Sequence, residues 1–273
     1  MTYADLDRPP LDAAALTHAL VGSGTWWRDV QVTPSTASTN ADLSTLAAAG
    51  APEGTLVTTD HQQAGRGRLD RVWTVPPQAA ISVSVLLRPD PVPAERWSWL
   101  PLLVGVAVAE TVQAAGVEAT VKWPNDVLVD DLKISGILVE RVQTDAGPAA
   151  VVGVGLNVHQ RADELPVPTA TSLALAGAAT TDRTVLLRSY ARVLEALYRA
   201  WAAAEGDPRV GLLDSYVRRC STLGQDVRVE MPNGEPLVGT AEAIDAGGRL
   251  VVRAGGARHA LSAGDVVHVR RRP

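Results

Sequence analysis

Residues 120–138 read Thr-Val-Lys-Trp-Pro-Asn-Asp-Val-Leu-Val-Asp-Asp-Leu-Lys-Ile-Ser-Gly-Ile-Leu. Short apolar runs broken by turn residues predict strands near 118–123, 126–130 and 134–143, with Pro124-Asn125-Asp126 turning between the first two. Working outward, a further strand falls at 149–158. Upstream, Thr55–His61 and Ala80–Leu87 read as strands, the second nearly continuous in apolar residues and so buried. Helices interleave with them. Residues 11–21 carry Leu16 and Leu20 at i,i+4 spacing. Ser38-Thr39-Asn40 opens a helix that Gly50 ends, with cap chemistry at both ends. Pro93 starts an apolar helix running to about Ala115, and two more helices cover about 183–205 and 209–219.

After Leu223 the texture changes to short alternating runs, Asp226–Met231, Leu250–Arg253 and Val266–Val269, separated by turn residues. Asn233-Gly234 is a hairpin signal and Gly247-Gly248 a weaker one. This pattern predicts a small all-β barrel. The expected division is therefore 1–221 and 222–273.

Composition removes several classes. Cys220 is the sole cysteine among 273 residues, which leaves no intramolecular disulfide framework or Cys-based zinc site and points to a cytoplasmic protein. The apolar run Trp99–Ala109 is far short of the roughly 20 residues a membrane span needs. Asp5, Asp7, Arg8 and Asp12 do not fit a signal peptide. A net charge of −5 argues against a protein built to hold nucleic acid. Phe is absent, Lys stands only at 122 and 133 against 23 Arg, and Asn only at 40, 125, 157 and 233. A GC-rich gene explains such a bias. The few A/T-codon residues that remain then mark positions where a substitute fails.

Those positions coincide with candidate chemistry. Residues 62–73, Gln-Gln-Ala-Gly-Arg-Gly-Arg-Leu-Asp-Arg-Val-Trp, read as a loop between strands. Gly65 and Gly67 allow close backbone approach, Arg66, Arg68 and Arg71 can fork onto phosphate or carboxylate, and Trp73 offers a flat face. A solvated basic turn is the bland alternative. In Lys122-Trp123-Pro124-Asn125-Asp126 a cation, an amide and a carboxylate share one turn, able to meet phosphate, purine edge or metal, or simply to turn the chain. Lys133 heads an otherwise apolar strand, as a mobile point charge or as a strand-end lysine reaching solvent. Gly153-Val154-Gly155-Leu156-Asn157 places glycines and an amide in a buried strand. A ligand or a satisfied core amide explains Asn157 equally well. No nucleophile elbow, Walker loop or His-based metal spacing is present in the sequence.

Taken in order, Ser38-Thr39-Asn40, Gln62 with Gly65-Arg66-Gly67-Arg68 and Arg71-x-Trp73, Lys122-Trp123-Pro124-Asn125-Asp126, Lys133-x-Ser135-Gly136-Ile137-Leu138 and Gly153-x-Gly155-x-Asn157-Val158 resemble the biotin–protein ligases, or biotin–[acetyl-CoA-carboxylase] ligases. The likeness runs from about residue 36 to the C-terminus.

The resemblance implies an α+β fold: a mixed β-sheet flanked by helices, related to class II aminoacyl-tRNA synthetases, followed by an SH3-like barrel. It implies that biotin and ATP give biotinyl-5′-AMP and pyrophosphate, and that biotin then passes to a lysine of a biotin carboxyl carrier domain. Lys133, Arg66 and Arg68 are the implied catalytic residues. Ser38, Thr39, Asn40, Gln62, Gly65, Gly67 and Gly136 join them around biotin. Arg71, Trp73, Lys122, Asn125 and Asn157 take the nucleotide, and Asp126 either assists Mg²⁺ or orients a lysine. About 35 residues precede the Ser-Thr-Asn motif, too few for the DNA-binding domain of the repressor-type members, so operator DNA is not an expected partner. The alternative within the fold is a lipoate–protein ligase or lipoyl/octanoyl transferase; outside it, a nucleic-acid-binding regulator.

Overall fold

The computed structural model describes residues 8–68, 71–230, 235–262 and 265–268. In chain order the elements are α1 (Ala13–Leu20), β1 (Asp29–Thr33), α2 (Thr39–Ala48), β2 (Thr55–Thr59), β3 (Gly65–Arg66), β4 (Val72–Trp73), β5 (Ala80–Leu87), α3 (Leu100–Ala114), β6 (Thr120–Lys122), β7 (Asp126–Val129), β8 (Leu132–Thr144), β9 (Gly147–Asn157), α4 (Arg183–Ala203), α5 (Leu212–Arg219), β10 (Asp226–Glu230), β11 (Leu237–Ile244), β12 (Leu250–Ala254), β13 (Ala257–Leu261) and β14 (Asp265–His268).

Seven strands form a mixed sheet in the order β1-β2-β5-β9-β8-β7-β6. β1 and β2 run parallel and every other neighbouring pair is antiparallel. Period-two alternation sorts its side chains. Ile81, Val83, Val85 and Leu87 of β5 join Val152, Val154 and Leu156 of β9 in the main core with α1, α3 and α4. Leu86 and Val151 point the other way and pack with Leu43 and Ala47 of α2. The α2 side is the thinner layer. Ser84, Gly136, Gly153 and Gly155 share it, and their small side chains leave room above the sheet.

Four readings of the sequence are corrected. Residues 62–73 are not a plain loop: β3 and β4 pair as a short hairpin, Gly65 opposite Trp73 and Arg66 opposite Val72. The chain after Pro93 is first a 3₁₀ turn, Ala94–Trp99, before α3 begins at Leu100. β1 was not read as a strand, because its edge position leaves all five residues half-buried and blurs the alternation. The last helix before the C-terminal strands starts later than expected, at Leu212, after Gly211 at φ 89°.

The C-terminal strands form a five-stranded antiparallel sheet, β13-β12-β11-β10-β14. Among the described residues the edge strands β13 and β14 do not pair with each other, so what is seen of the expected barrel is an open sheet. The expected turn at Asn233-Gly234 lies outside the described residues. Two tryptophans tie this sheet to the first. Trp99 Nε1 donates to Ala246 O at 2.8 Å and Trp123 Nε1 to Gly248 O at 3.0 Å, both in the β11–β12 turn. No helix among the described residues is long and apolar enough to cross a membrane.

Candidate active site

A cavity of about 1690 Å³ opens on the α2 side of the seven-stranded sheet. Its floor is made by glycines. Gly136 of β8 and Gly155 of β9 are cross-strand partners. The Trp73 indole lies on them: a Cβ on Gly155 would fall 2.4 Å from Trp73 Cε2, and one on Gly136 3.5 Å from Cζ3. Gly153 makes the same allowance for Asn40, whose Oδ1 sits 2.3 Å from where its Cβ would be. The Trp73 Nε1–H is buried and has no partner.

One end of the cavity is neutral and rich in amides and hydroxyls. Ser38 caps α2, accepting from Ala41 N at 3.4 Å. Gln62 Oε1 accepts from Thr39 N at 3.0 Å and Thr39 Oγ1 at 3.1 Å. Ser84 Oγ lies 2.6 Å from Asn40 Oδ1 and 2.8 Å from Thr39 Oγ1. Asn40 Nδ2 donates to Glu140 Oε2 at 2.6 Å, and Glu140 Oε1 stands 3.6 Å from Arg66 on the hairpin. This network orients the Asn40 and Gln62 amides before any ligand arrives. Gly65 keeps Gln62 in place, since a Cβ there would lie 2.3 Å from its Nε2 and 2.6 Å from Trp73 O.

The other end is cationic and gathered around one carboxylate. Asp126 Oδ1 is 2.7 Å from Lys133 Nζ, an ion pair whose approach is too oblique for a hydrogen bond. Lys133 also stands over the Trp73 ring, 5.9 Å from its centroid. Burial holds Lys122 below the ordinary lysine value; Asp126 opposes this, and Lys133 and Arg71 add to it. Burial likewise lowers Arg68, again with Asp126 opposing and Arg71 adding. Asp126 therefore carries the counter-charge for a set of crowded cations. Arg68 donates to Asn125 Oδ1 at 3.1 Å, and Asn125 Nδ2 donates to Ile137 O at 2.9 Å, which anchors the β6–β7 turn to β8. The Trp123–Pro124 peptide in that turn is cis.

Residues 30–157 match the Biotin/lipoate A/B protein ligase family and residues 222–269 the Biotin protein ligase C terminal domain. Over 99% of its length the chain is 44% identical to the whole of the biotin–[acetyl-CoA-carboxylase] ligase of Mycobacterium tuberculosis. The chain belongs to the biotin protein ligase family. It is also 36% identical, over 79% of its length, to the bifunctional ligase/repressor BirA of Bacillus spizizenii, of which it spans 66%. Among solved structures, a biotin protein ligase from Aquifex aeolicus in complex with biotin and ATP superposes on 90% of this chain and 100% of its own, with a TM-score of 0.73 at 23% identity, and so shares the fold.

In this member of the biotin protein ligase family, the structure brings the sequence-nominated residues together. Ser38, Thr39, Asn40, Gln62, Arg66, Gly67, Arg68, Arg71, Trp73, Lys122, Asn125, Asp126, Lys133, Gly136 and Asn157 all line the cavity, and Gly65 lies just behind it. Asn157 differs in kind. Its Nδ2 donates to Thr171 O at 2.9 Å and its Oδ1 accepts from Gln160 at 2.7 Å, so both polar atoms hold the chain itself. Ser84, Glu140 and Gln160 were not nominated. Ser84 sits in a run that reads as buried strand, and Glu140 is found only through the β8 register that carries it to Asn40. Asp126 is a poor fit for a protein-held cation. Its Oδ1 already faces Lys133, and no group of three or more His, Cys, Asp or Glu is arranged around a metal among the described residues.

Proposed function

We infer that this chain is a biotin protein ligase that first adenylates biotin with ATP and then transfers it to a lysine of a biotin carboxyl carrier domain. The observation that carries the reading is one cavity with a preorganised amide-rich end and a cationic end in which Lys133 pairs with Asp126 beside the Trp73 ring. A biotin carboxylate oxygen attacks the α-phosphorus, the bond to pyrophosphate breaks, and biotinyl-AMP forms. The carrier lysine, as its free amine, then attacks the acyl carbon and AMP leaves.

The first step brings two anions together, and cations placed where the charge collects relieve the repulsion. One such donor is commonly worth about 3–4 kcal/mol. Lys133 takes this place between carboxylate and α-phosphate. Lys122 and Arg71 face the remaining phosphates, with Asn125 and Trp73 toward the nucleoside and Asn157 holding that end of the pocket. Ser38, Thr39, Asn40 and Gln62 answer the ureido ring, which offers two N–H groups and a carbonyl. The β3–β4 hairpin with Arg66 and Arg68 covers the adenylate and keeps water from the mixed anhydride. Mg²⁺, brought with ATP, would neutralise phosphate charge beside Lys122 and Arg71. Asp126 serves to orient Lys133. Residues 1–221 carry this chemistry, and residues 222–273 form a second unit braced against it.

Lipoate is the competing substrate within the fold. A dithiolane ring offers no N–H or carbonyl to the amides and hydroxyls of that end, and sites built to hydrogen-bond a substrate reject analogues lacking those groups strongly. The test is incubation with Mg-ATP, a carrier domain and either biotin or lipoate, followed by intact mass of the carrier. One biotinyl group per carrier is expected. Modification by lipoate and not by biotin overturns the reading.

A further inference from the structure

Lys133 sits where the regular sheet gives out. β8 and β9 pair from Thr144↔Gly147 up to Ser135↔Leu156 and no further. On the other side the β7–β8 register shifts between Val127 and Leu128, just beside Lys133. Beyond Ser135 the place of β9 is taken by a segment that is neither helix nor strand. Lys133 N donates to Thr169 O at 2.8 Å and Thr171 N donates to Lys133 O at 2.9 Å. The backbone that carries Lys133 is thus held by β7 on one side, where Lys133 faces Leu128, and by residues 169–171 on the other.

That segment is held by backbone bonds, Leu173 N to Asn157 O at 3.2 Å and Ala174 N to Val158 O at 2.9 Å, and by a buried amide. Gln160 is 1% exposed, and both ends of its side chain are engaged. Its Oε1 accepts from Val158 N at 2.9 Å and its Nε2 donates to Asn157 Oδ1 at 2.7 Å. Asn157, oriented in this way, donates to Thr171 O at 2.9 Å. Ser172 Oγ closes the loop on Gln160 O at 2.7 Å. An apolar core would stabilise the segment with fewer risks, because each member of a buried polar network must be satisfied. The network instead adds a side-chain tie that ends on Lys133: the Gln160 amide orients Asn157, Asn157 holds Thr171 O, and Thr171 N holds Lys133 O.

We propose that Gln160 is a positioning residue for adenylation, acting through Asn157 and Thr171 to hold Lys133 beside Asp126 and the Trp73 ring. This rests on the role of Lys133 given above. It assigns Asn157 a structural use of its amide beside any nucleotide contact. A reacting group misplaced by about 1 Å can cost on the order of 100-fold in rate.

The experiment is a double-mutant cycle on single-turnover formation of biotinyl-AMP from biotin and Mg-ATP, using the full chain, Gln160→Met, Lys133→Ala and the double variant. Gln160→Met is expected to slow adenylation about 10-fold while leaving the dissociation constant for biotin within about twofold, since the amide-rich end is built on other elements. In the Lys133→Ala background the same change is expected to cost less than about twofold. A full 10-fold loss in that background, or no loss in the single variant, overturns the proposal. Normal adenylation by Lys133→Ala overturns the role of Lys133 itself and is read from its own arm of the cycle. If Gln160→Met loses biotin binding altogether, Ser172→Ala takes its place, with a loss of about threefold that must again vanish without Lys133.

Discussion

At the scale of single residues, the site depends as much on absent side chains as on present ones. Lys133→Ala removes the cation proposed to lie between the two reacting anions and is expected to slow adenylation about 10²-fold or more, measured as single-turnover pyrophosphate release. Gly153→Ala puts a methyl 2.3 Å from Asn40 Oδ1, and Gly155→Ala puts one 2.4 Å from the Trp73 ring. The two are expected to separate by function. Gly153→Ala should weaken biotin binding about 10-fold or more in titration calorimetry, as an oriented amide is lost. Gly155→Ala should change the tryptophan fluorescence and speed escape of biotinyl-AMP, because Trp73 and its hairpin are pushed off the floor. Much of this was legible in the letters. Both lysines and three of the four asparagines line the cavity, as their scarcity in a biased composition suggested. Ser84, Glu140 and Gln160 were not legible, because their types are common and only the register of β5, β8 and the 160–173 segment gives them partners.

At the scale of elements, two irregular pieces do what regular ones cannot. The hairpin needs Gly65 to pass close over Gln62, and its two residue pairs put Trp73 and Arg66 on opposite faces of the ribbon, Trp73 against the glycine floor and Arg66 within 3.6 Å of Glu140. Its strands are too short to leave a period in the sequence, which is why a loop was expected. The segment after β9 is tied down at a second point. Arg8 donates to Glu164 and, at 3.0 Å, to His159 O, joining the N-terminal residues to the start of the loop that reaches Lys133. The hydrogen bond from Arg8 is the main reason Glu164 titrates below its ordinary value of 4.5. A depressed carboxylate contributes stability above its unfolded value and loses it as pH falls through the folded one. The difference in denaturation midpoint between the parent and Arg8→Ala is therefore expected to be constant near neutrality and to shrink on acidification between about pH 5 and 3. A difference independent of pH would remove Glu164 as the partner that matters.

At the scale of the whole molecule, the β6–β7 turn is gripped from behind. Lys122, Asn125 and Asp126 face the cavity, while Trp123 between them is 2% exposed in the core and donates to Gly248 O of the C-terminal sheet. Its own N–H donates to Thr222 Oγ1 at 3.1 Å. Trp123→Phe keeps an aromatic ring but removes the pyrrole part of the buried indole, leaving a small cavity and a carbonyl without its donor, a loss of at least about 1–3 kcal/mol. Chemical denaturation should report that loss, and adenylation should slow with it although residue 123 touches no substrate. The alternating texture after Leu223 announced these strands, and Gly247-Gly248 their turn. That the turn would seat on Trp99 and Trp123 could not be read, since strand order and sheet contacts are set by packing across more than 100 positions of chain.

Asp126 has one more consequence, for turnover. A pocket of bare cations would hold pyrophosphate as firmly as it holds ATP, and the enzyme would stall on its own product. On the proposed mechanism the resident carboxylate, 2.7 Å from Lys133, would re-pair with it as each anion departs, and the contact that balances the empty site would make letting go easier. Asp126→Asn is expected to strengthen inhibition by added pyrophosphate about threefold or more in steady-state assays, and to leave release, rather than chemistry, as the slow step.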